Sequence, residues 1–135
     1  MNIRLAAAAD IDWLNIHDPH IARRELKESV RAKRIYLAEA GGTVCGWLRY
    51  NLFWDNTPFM NMLYILEEFR GCGYGSALAE RWEADMRRLG YSALMTSTQQ
   101  DETAQHFYQK LGYRGIGGFL TGKEPMELIL YKEIA

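Results

Sequence analysis

The part of the sequence best suited to chemistry is a short glycine-rich segment. It reads RGCGYGS from Arg70 to Ser76 and joins an apolar run to a stretch with helical periodicity. Alternate glycines let the backbone approach a ligand closely and turn successive N–H groups to one side. The N–H groups that open a helix are unpaired and carry its positive end, and Arg70 adds a full positive charge. The segment therefore predicts a binding site for a phosphate or a pyrophosphate.

Two other phosphate-binding motifs fit this segment poorly. A P-loop requires Gly-Lys followed by Ser or Thr, and that sequence is absent. A Rossmann fingerprint requires Gly or Ala where Ser76 stands, and an acidic residue about 20 positions later. The later region reads Thr96-Ser97-Thr98 instead. A nucleotide-binding oxidoreductase is therefore a weak alternative, and the plainest alternative is that the glycines only form a tight turn.

The elements that position the segment follow from hydrophobic periodicity and turn residues. Strands are predicted at 3–6, 35–40, 43–54, 60–66, 93–98, 113–119 and 126–134, and helices at 10–17, 22–33, 76–89 and 101–111. Short turns join most of the strands and predict antiparallel pairing. The helix between strands 60–66 and 93–98 predicts a parallel pair. The expected fold class is α/β, with a mixed, mostly antiparallel sheet, one central parallel strand pair and helices on both faces.

Three local features sharpen this outline. The run from Met60 to Leu66 hardly alternates, which predicts a central strand covered on both faces. Two helices end in the same pattern, with Gly90 and Gly112 expected in the left-handed conformation. Asp101 stands where the last helix is expected to begin, and aspartate is a common helix N-cap.

Composition limits the classes of protein to consider. The chain has 135 residues, with 16 Lys and Arg against 17 Asp and Glu, for a formal net charge of −1. The length fits a single domain over residues 1–135, and the balanced charge argues against a nucleic-acid partner. Two cysteines are too few for a disulfide framework, and no metal-ligand spacing is present. No signal peptide or membrane-spanning run is recognisable, so we expect a cytoplasmic protein with neither a metal nor a membrane partner.

The sequence resembles the GCN5-related N-acetyltransferase (GNAT) family in two places. The glycine segment, after a strand that contains Leu63-Tyr64-Ile65, is similar to the acetyl-CoA signature of that family. Downstream, D-x-x-A-x-x-F-Y-x-x-L-G-Y from Asp101 to Tyr113 is similar to the family pattern N-x-x-A-x-x-F-Y-x-x-x-G-F. The order of elements also matches the acyl-CoA N-acyltransferase fold, so the resemblance covers essentially the whole chain.

The resemblance implies transfer of an acetyl group from acetyl-CoA to a primary amine of a small molecule or a peptide, by direct attack of the amine. It implies cofactor contacts from the strand and the loop, at Leu63, Tyr64, Ile65, Arg70, Gly71, Cys72, Gly73, Tyr74, Gly75 and Ser76. Asp101 takes the position of the family's asparagine and is carried over as a further contact. A homodimer is compatible with the family.

The resemblance also implies that Tyr108 is the general acid, because a phenol can protonate a departing thiolate. The general base stays open. Asn61 stands where some members carry a carboxylate, which leaves Asp55, Glu124, Glu127, a chain of waters or an amine that arrives deprotonated. Because Asn61 is not a base, a non-catalytic acyl-CoA-binding sensor remains the alternative to an enzyme.

Overall fold

A seven-stranded sheet forms the centre of the protein in a computed structural model that describes all 135 residues, Met1–Ala135. The strands are β1 (Asn2–Leu5), β2 (Ile35–Ala40), β3 (Thr43–Phe53), β4 (Thr57–Ile65), β5 (Ala93–Gln99), β6 (Arg114–Phe119) and β7 (Glu127–Glu133). The helices are α1 (Ile11–His17), α2 (Arg23–Arg31), α3 (Tyr74–Arg88) and α4 (Ala104–Lys110).

The topology confirms the predicted fold class. The strand order is β1-β2-β3-β4-β5-β7-β6, and every neighbouring pair is antiparallel except β4 and β5. That pair is parallel because α3 carries the chain back across the sheet before β5 begins.

Helices cover both faces of the sheet. Tyr36 and Ala38 of β2 belong to the apolar cluster that includes residues of α3 and α4, such as Trp82. Leu37, between them, packs into the cluster formed with α1 and α2. This alternation follows from the period of two along a strand.

β4 and β5 part soon after they meet. Only Phe59 with Met95 and Met60 with Thr96 pair across them. On its other side, β4 carries a bulge at Asn61, since the register against β3 shifts there. The extra residue reverses the alternation of the side chains that follow, so that Met60 packs towards α3 while Met62 packs towards α1 and α2. The result is a groove that opens between β4 and β5 just beyond Met60.

Several predicted boundaries change in the structure. β4 begins at Thr57 rather than at residue 60, because the hairpin turns earlier, with Trp54 and Asp55 at positive φ. The prediction that β4 is covered on both faces was wrong beyond the bulge, where Asn61 and Tyr64 are exposed. The groove and the limited reach of α1 and α2 leave this half of the strand open.

The ends of the helices also differ from expectation. α3 begins at Tyr74, two residues earlier than predicted, so its first turn lies inside the glycine segment. The predicted N-cap at Asp101 was wrong, because α4 begins only at Ala104, after Thr103. The chain first makes a separate turn, in which the Glu102 N–H donates to the Gln99 carbonyl at 3.0 Å.

A buried ion pair ties the segment between α1 and α2 to the sheet. The Asp18 carboxylate, 1% exposed, accepts hydrogen bonds from Arg49 Nε at 2.9 Å and from Trp47 Nε1 at 3.1 Å. Because both charges are buried, loss of one partner would leave the other unpaired and costly. The pair therefore holds the neighbouring His20 over the open half of β4. None of the helices is both long and apolar enough to cross a membrane.

Candidate active site

The groove between β4 and β5 contains a cavity of about 540 Å³, called the transfer cavity below. Its lining comes from both strands, α4, the start of β7 and the α1–α2 segment: His20, Met60, Asn61, Met62, Leu63, Tyr64, Thr96, Ser97, Thr98, Gln99, Glu102, Ala104, Tyr108 and Glu127. Alternation along β5 and β7 divides this lining into two sides. Leu94 and Leu130 pack towards α3 and α4, so Thr96 and Thr98 face the same way. Ser97, Gln99 and Glu127 face the opposite side, below called the acceptor side.

The edge of β4 offers unpaired backbone groups to the groove. The Leu66 N–H donates to the Cys45 carbonyl at 2.8 Å, and these residues are opposite each other in the β3–β4 register. Hydrogen-bonded pairs alternate along antiparallel strands, so Tyr64 also directs its backbone groups to β3. Leu63 and Ile65 therefore direct theirs into the groove. Of the three residues predicted at this edge, Tyr64 alone has its backbone turned away.

Arg70 braces the end of β4. Its Nε donates to the Ile65 carbonyl at 2.9 Å, and its guanidinium lies 5.1 Å from the centre of the Tyr64 ring. The Tyr64 ring in turn lies 5.1 Å from that of Trp47, on the face away from α3. These contacts fix the guanidinium beside the glycine loop.

The glycine loop forms a second cavity, of about 410 Å³, called the loop cavity below. It is lined by Ile65, Phe69, Arg70, Gly71, Gly73, Tyr74, Gly75, Ser76 and Phe107. Gly71 and Gly73 have φ of +77° and +89°, and a Cβ on either would meet no protein atom within 4 Å. No side chain caps α3, so the N–H groups of its first turn are free for an anion. A Cβ on Gly75 would lie 3.6 Å from the Phe107 ring, an ordinary van der Waals contact, so Gly75 and Phe107 face each other in the lining.

Two residues predicted for the cofactor lie outside both cavities. Cys72 is exposed and lines neither of them, and its Sγ lies 3.7 Å from the Arg70 carbonyl oxygen. Asp101 is exposed in the turn before α4 and also lines neither cavity, whereas its neighbour Glu102 does line the transfer cavity. The Cys72 side chain therefore points away from the loop cavity, although its backbone is part of the glycine loop.

Tyr108, the residue predicted as a general acid, lines the transfer cavity. It is the buried residue of α4, 7% exposed, although the helix pattern predicted Phe107 on the inner stripe with Tyr108 at its edge. Burial raises the pKa of Tyr108 to about 12, while a hydrogen bond with Thr96 acts to lower it and the charge of Glu102 acts to raise it. The phenol therefore stays protonated throughout the neutral range.

Two threonines of β5 lie on the same side of the groove as Tyr108. The Thr96 hydroxyl donates to the Met60 carbonyl at 3.0 Å. The Thr98 Oγ is buried without any hydrogen-bond partner, in a side chain that is 5% exposed and lines the transfer cavity. A buried hydroxyl without a partner is unfavourable, so this atom fits a polar group supplied by a ligand. Sequence reasoning missed both residues: alternation along β5 indicates that they share a face, but the hydrogen bonds they make or lack depend on the packed groove.

The sequence left the general base unassigned, and two titratable residues of the cavity lining lie on the acceptor side. Glu127 and the exposed His20 line the transfer cavity there. Asp55 lies in the β3–β4 turn, outside the cavity lining, and Glu124 accepts a 3.0 Å hydrogen bond from Gln99. Among the predicted candidates for a base, Glu127 is therefore the one that lines the groove.

Comparison with known proteins identifies the family of this chain. A family model described as the acetyltransferase (GNAT) family matches residues 5–113, well over half of the chain. The chain belongs to the GNAT family. The fold agrees: Ard1 from Thermoplasma volcanium has a TM-score of 0.85 at 16% identity, over 99% of this chain and 97% of that one. YncA from Salmonella typhimurium, in a structure with its cofactor acetyl-CoA, has a TM-score of 0.83 at 16% identity, over 100% of this chain and 94% of that one.

Sequence relatives of this GNAT protein match over a shorter stretch. An uncharacterized acetyltransferase of Streptococcus pyogenes serotype M1 is 36% identical over 58 residues, or 43% of this chain. The match spans 39% of that relative's own length.

Acetyl-CoA is the co-substrate that the GNAT fold implies, and the residues present fit it. The free N–H groups of the glycine loop suit its pyrophosphate, and the free edge of β4 suits the amides of its pantetheine arm. The unpartnered Thr98 hydroxyl lines the same cavity as Tyr108.

Proposed function

We propose that this chain is an acetyl-CoA-dependent N-acetyltransferase that acts on a primary amine. The observation that carries the proposal is the early separation of β4 from β5, which leaves a free strand edge leading to the uncapped start of α3. An extended amide chain that ends in a phosphate is complementary to such an edge. Acetyl-CoA has this form, and at its other end it supplies an activated acetyl group.

The proposed binding residues fall into three groups. Backbone N–H groups of the loop, from Gly71 to Ser76, hold the pyrophosphate, with Arg70 supplying positive charge. Backbone groups of Leu63 and the Ile65 N–H pair with the pantetheine arm as an added strand would, while the Ile65 carbonyl stays bonded to Arg70. Near the apex of the groove, a backbone N–H of β4 polarises the acetyl carbonyl, a kind of contact typically worth about 3 kcal/mol.

The reaction we propose is a direct transfer. The amine nitrogen forms a bond to the acetyl carbon, the carbon–sulfur bond breaks, and the electron pair leaves with sulfur. Tyr108 donates its phenolic proton to that sulfur, a step that contributes about 10²- to 10⁴-fold to the rate. The amine loses its proton on the acceptor side, where Glu127 and His20 are the titratable residues of the cavity lining.

The second candidate is a non-catalytic sensor of acyl-CoA. Asn61 at the bulge favours this candidate, because it puts no base at a position where some GNAT members carry a carboxylate. The buried Tyr108 in the transfer cavity favours the enzyme, since a sensor has no need of a proton donor at that point.

The test of cofactor class is a thermal-unfolding series with acetyl-CoA, CoA, NAD and ATP on the intact protein. Binding to the folded state raises the unfolding temperature in proportion to the logarithm of ligand concentration over its dissociation constant. We expect acetyl-CoA and CoA to stabilise the protein and NAD to have no effect. Stabilisation by NAD alone would exclude the acetyltransferase and the sensor together.

A further inference from the structure

A third cavity, on the acceptor side, adjoins the transfer cavity and is lined by more charged side chains. It measures about 510 Å³ and is called the polar cavity below. It is lined by Ile21, Glu25, Glu28, Ser29, Arg31, Ala32, Arg34, Arg49, Tyr50, Asn51 and Asn61. Asn61, at the bulge of β4, also lines the transfer cavity, so the two cavities have this residue in common. A molecule in the polar cavity can therefore present a group to the groove at Asn61.

One arginine in the lining of the polar cavity has no ion-pair partner. The buried Arg49 is neutralised by Asp18, and Arg31 pairs with Glu28 at the exposed rim. Arg34 is half-buried, and no carboxylate lies within the 4.0 Å ion-pair distance of its guanidinium. Glu25, the remaining acid of the lining, is exposed at the rim with Arg24 as its nearest cation, at 3.9 Å. Arg34 is therefore the one cation of this lining without an ion-pair partner.

Two amides at the junction are already oriented. Asn61 Nδ2 donates to Asn51 Oδ1 at 2.7 Å, across the β3–β4 pair. This bond leaves Asn61 Oδ1 free to accept and Asn51 Nδ2 free to donate. Asn61 Oδ1 can accept a hydrogen bond from an amine N–H at the groove. Asn51 Nδ2 can donate one to an anion in the polar cavity.

The distance between Arg34 and Asn61 suits a small molecule. Arg34 directly precedes Ile35, which lies opposite Arg49 of β3, and Arg49 lies opposite Met62, the neighbour of Asn61. Two strand spacings separate the backbones of Arg34 and Asn61, or about 10 Å. The long arginine side chain covers part of that span, so one compact molecule can reach both residues.

We propose that the acceptor is a small amine that carries its own anionic group, a carboxylate or a phosphate. Its amine lies at Asn61 Oδ1 beside the transfer cavity, and its anionic group binds Arg34 with help from Asn51 Nδ2. This inference rests on the proposed acetyltransferase function and adds the chemical class of the acceptor. Arg34 is then an acceptor-binding residue rather than part of the chemistry.

The test uses pairs of amines that differ in the anionic group alone. β-Alanine is compared with β-alaninamide, and phosphoethanolamine with ethanolamine, so that the two pairs separate carboxylate from phosphate. We expect at least one anionic member to exceed its neutral partner in kcat/KM by about ten- to a hundredfold, as a charge-assisted hydrogen bond predicts. Arg34→Gln should reduce that ratio to within about threefold, and Arg34→Lys should restore part of it. Lys123→Gln makes the same change in net charge at an exposed residue that lines none of the three cavities, and it should leave the ratio unchanged.

The failures of the two proposals are distinguishable. Equal rates for both members of each pair, or a ratio that Arg34→Gln leaves intact, would overturn the anionic acceptor while the acetyltransferase stands. If no amine is acetylated, the same pairs are titrated by calorimetry into the protein loaded with CoA. Tighter binding of the anionic members, lost in Arg34→Gln, supports the polar cavity as their site, and equal binding overturns it. Absence of any acetyl-CoA binding would overturn the proposed function itself.

Discussion

The Thr96 hydroxyl donates a 3.0 Å hydrogen bond to the Met60 carbonyl, across the last residue pair that joins β4 to β5. A buried carbonyl needs a partner, and at this point the neighbouring strand is about to leave. The Thr96 side chain therefore supplies the last hydrogen bond between β4 and β5, at the point where backbone pairing stops. The free edge of β4, with Leu63 and Ile65, begins immediately beyond this bond.

Thr98→Val should separate cofactor binding from protein stability. The substitution keeps the shape of the side chain and removes a hydroxyl that has no partner in the free protein. We expect the free energy of unfolding to stay constant or to rise by about 1 kcal/mol, because a desolvated polar group is lost. Acetyl-CoA affinity should fall about tenfold, since the hydroxyl finds its partner only in the complex. Urea unfolding and calorimetric titration measure the two effects.

Thr98→Ser provides the control, because it keeps the hydroxyl and should keep most of the affinity. A loss of stability in Thr98→Val together with unchanged acetyl-CoA binding would mean that the hydroxyl serves the protein alone.

Gly73→Ala should weaken acetyl-CoA binding through the shape of the glycine loop. Its φ of +89° costs an alanine about 1 kcal/mol of stability. The new Cβ would meet no protein atom within 4 Å, but it would project into space that we assign to the pyrophosphate. Gly122→Ala is the matched control, since Gly122 also has a positive φ, of +59°, and open space around it, in the β6–β7 connection. Equal acetyl-CoA affinities in the two variants would contradict the assignment of the loop.

Tyr108→Phe should lower kcat by about 10²- to 10⁴-fold and leave the KM for acetyl-CoA nearly unchanged, because it removes a proton donor and little else. Tyr113→Phe is a useful comparison. Tyr113 packs 5.9 Å from Tyr108, ring centre to ring centre, but its hydroxyl donates to Glu83 outside the groove lining. Its loss should reduce stability while kcat is retained. A Tyr108→Phe enzyme with the wild-type rate would remove this residue from the mechanism.

Buried tyrosines should make the protein sensitive to alkali. Burial raises the pKa of Tyr108 to about 12 and also raises the pKa values of Tyr36 and Tyr113. In the unfolded chain a tyrosine has a pKa of about 10, so above that pH the unfolded state loses protons that the folded state retains. The tyrosine contribution to stability is therefore full below about pH 10 and is lost as the pH rises towards 12. Urea unfolding between pH 8 and 11 should show a falling free energy in the wild type and a shallower fall in Tyr108→Phe; identical slopes would contradict the shift at Tyr108.

Much of the fold was predictable because its signals are local. Gly41 and Gly42 have positive φ in the predicted hairpin, and Gly90 and Gly112 have positive φ after α3 and α4. Each follows from the freedom of glycine in a conformation that other residues avoid. The parallel pair followed from a helix long enough to cross the sheet.

What sequence reasoning missed depends on register and on distant contacts. Pro58 reads as a turn residue, yet it lies in β4 opposite Leu52. The bulge at Asn61 appears only when β3 and β4 are aligned, and the partner of Asp18 is 31 residues away in sequence. The orphan hydroxyl of Thr98 is a property of the packed groove, so no pattern of residue types specifies it.

Amine-dependent release of the CoA thiol is the most direct test of the account. The intact protein is incubated with acetyl-CoA and a broad panel of primary amines and peptides that includes the four amines named above. Thiol release is followed over time, and mass spectrometry detects the acetylated amine. The account predicts thiol release that requires an amine, matches the acetylated product in amount and falls by at least about a hundredfold in Tyr108→Phe. Tight binding of acetyl-CoA with no amine-dependent thiol release would contradict the enzyme and favour the sensor.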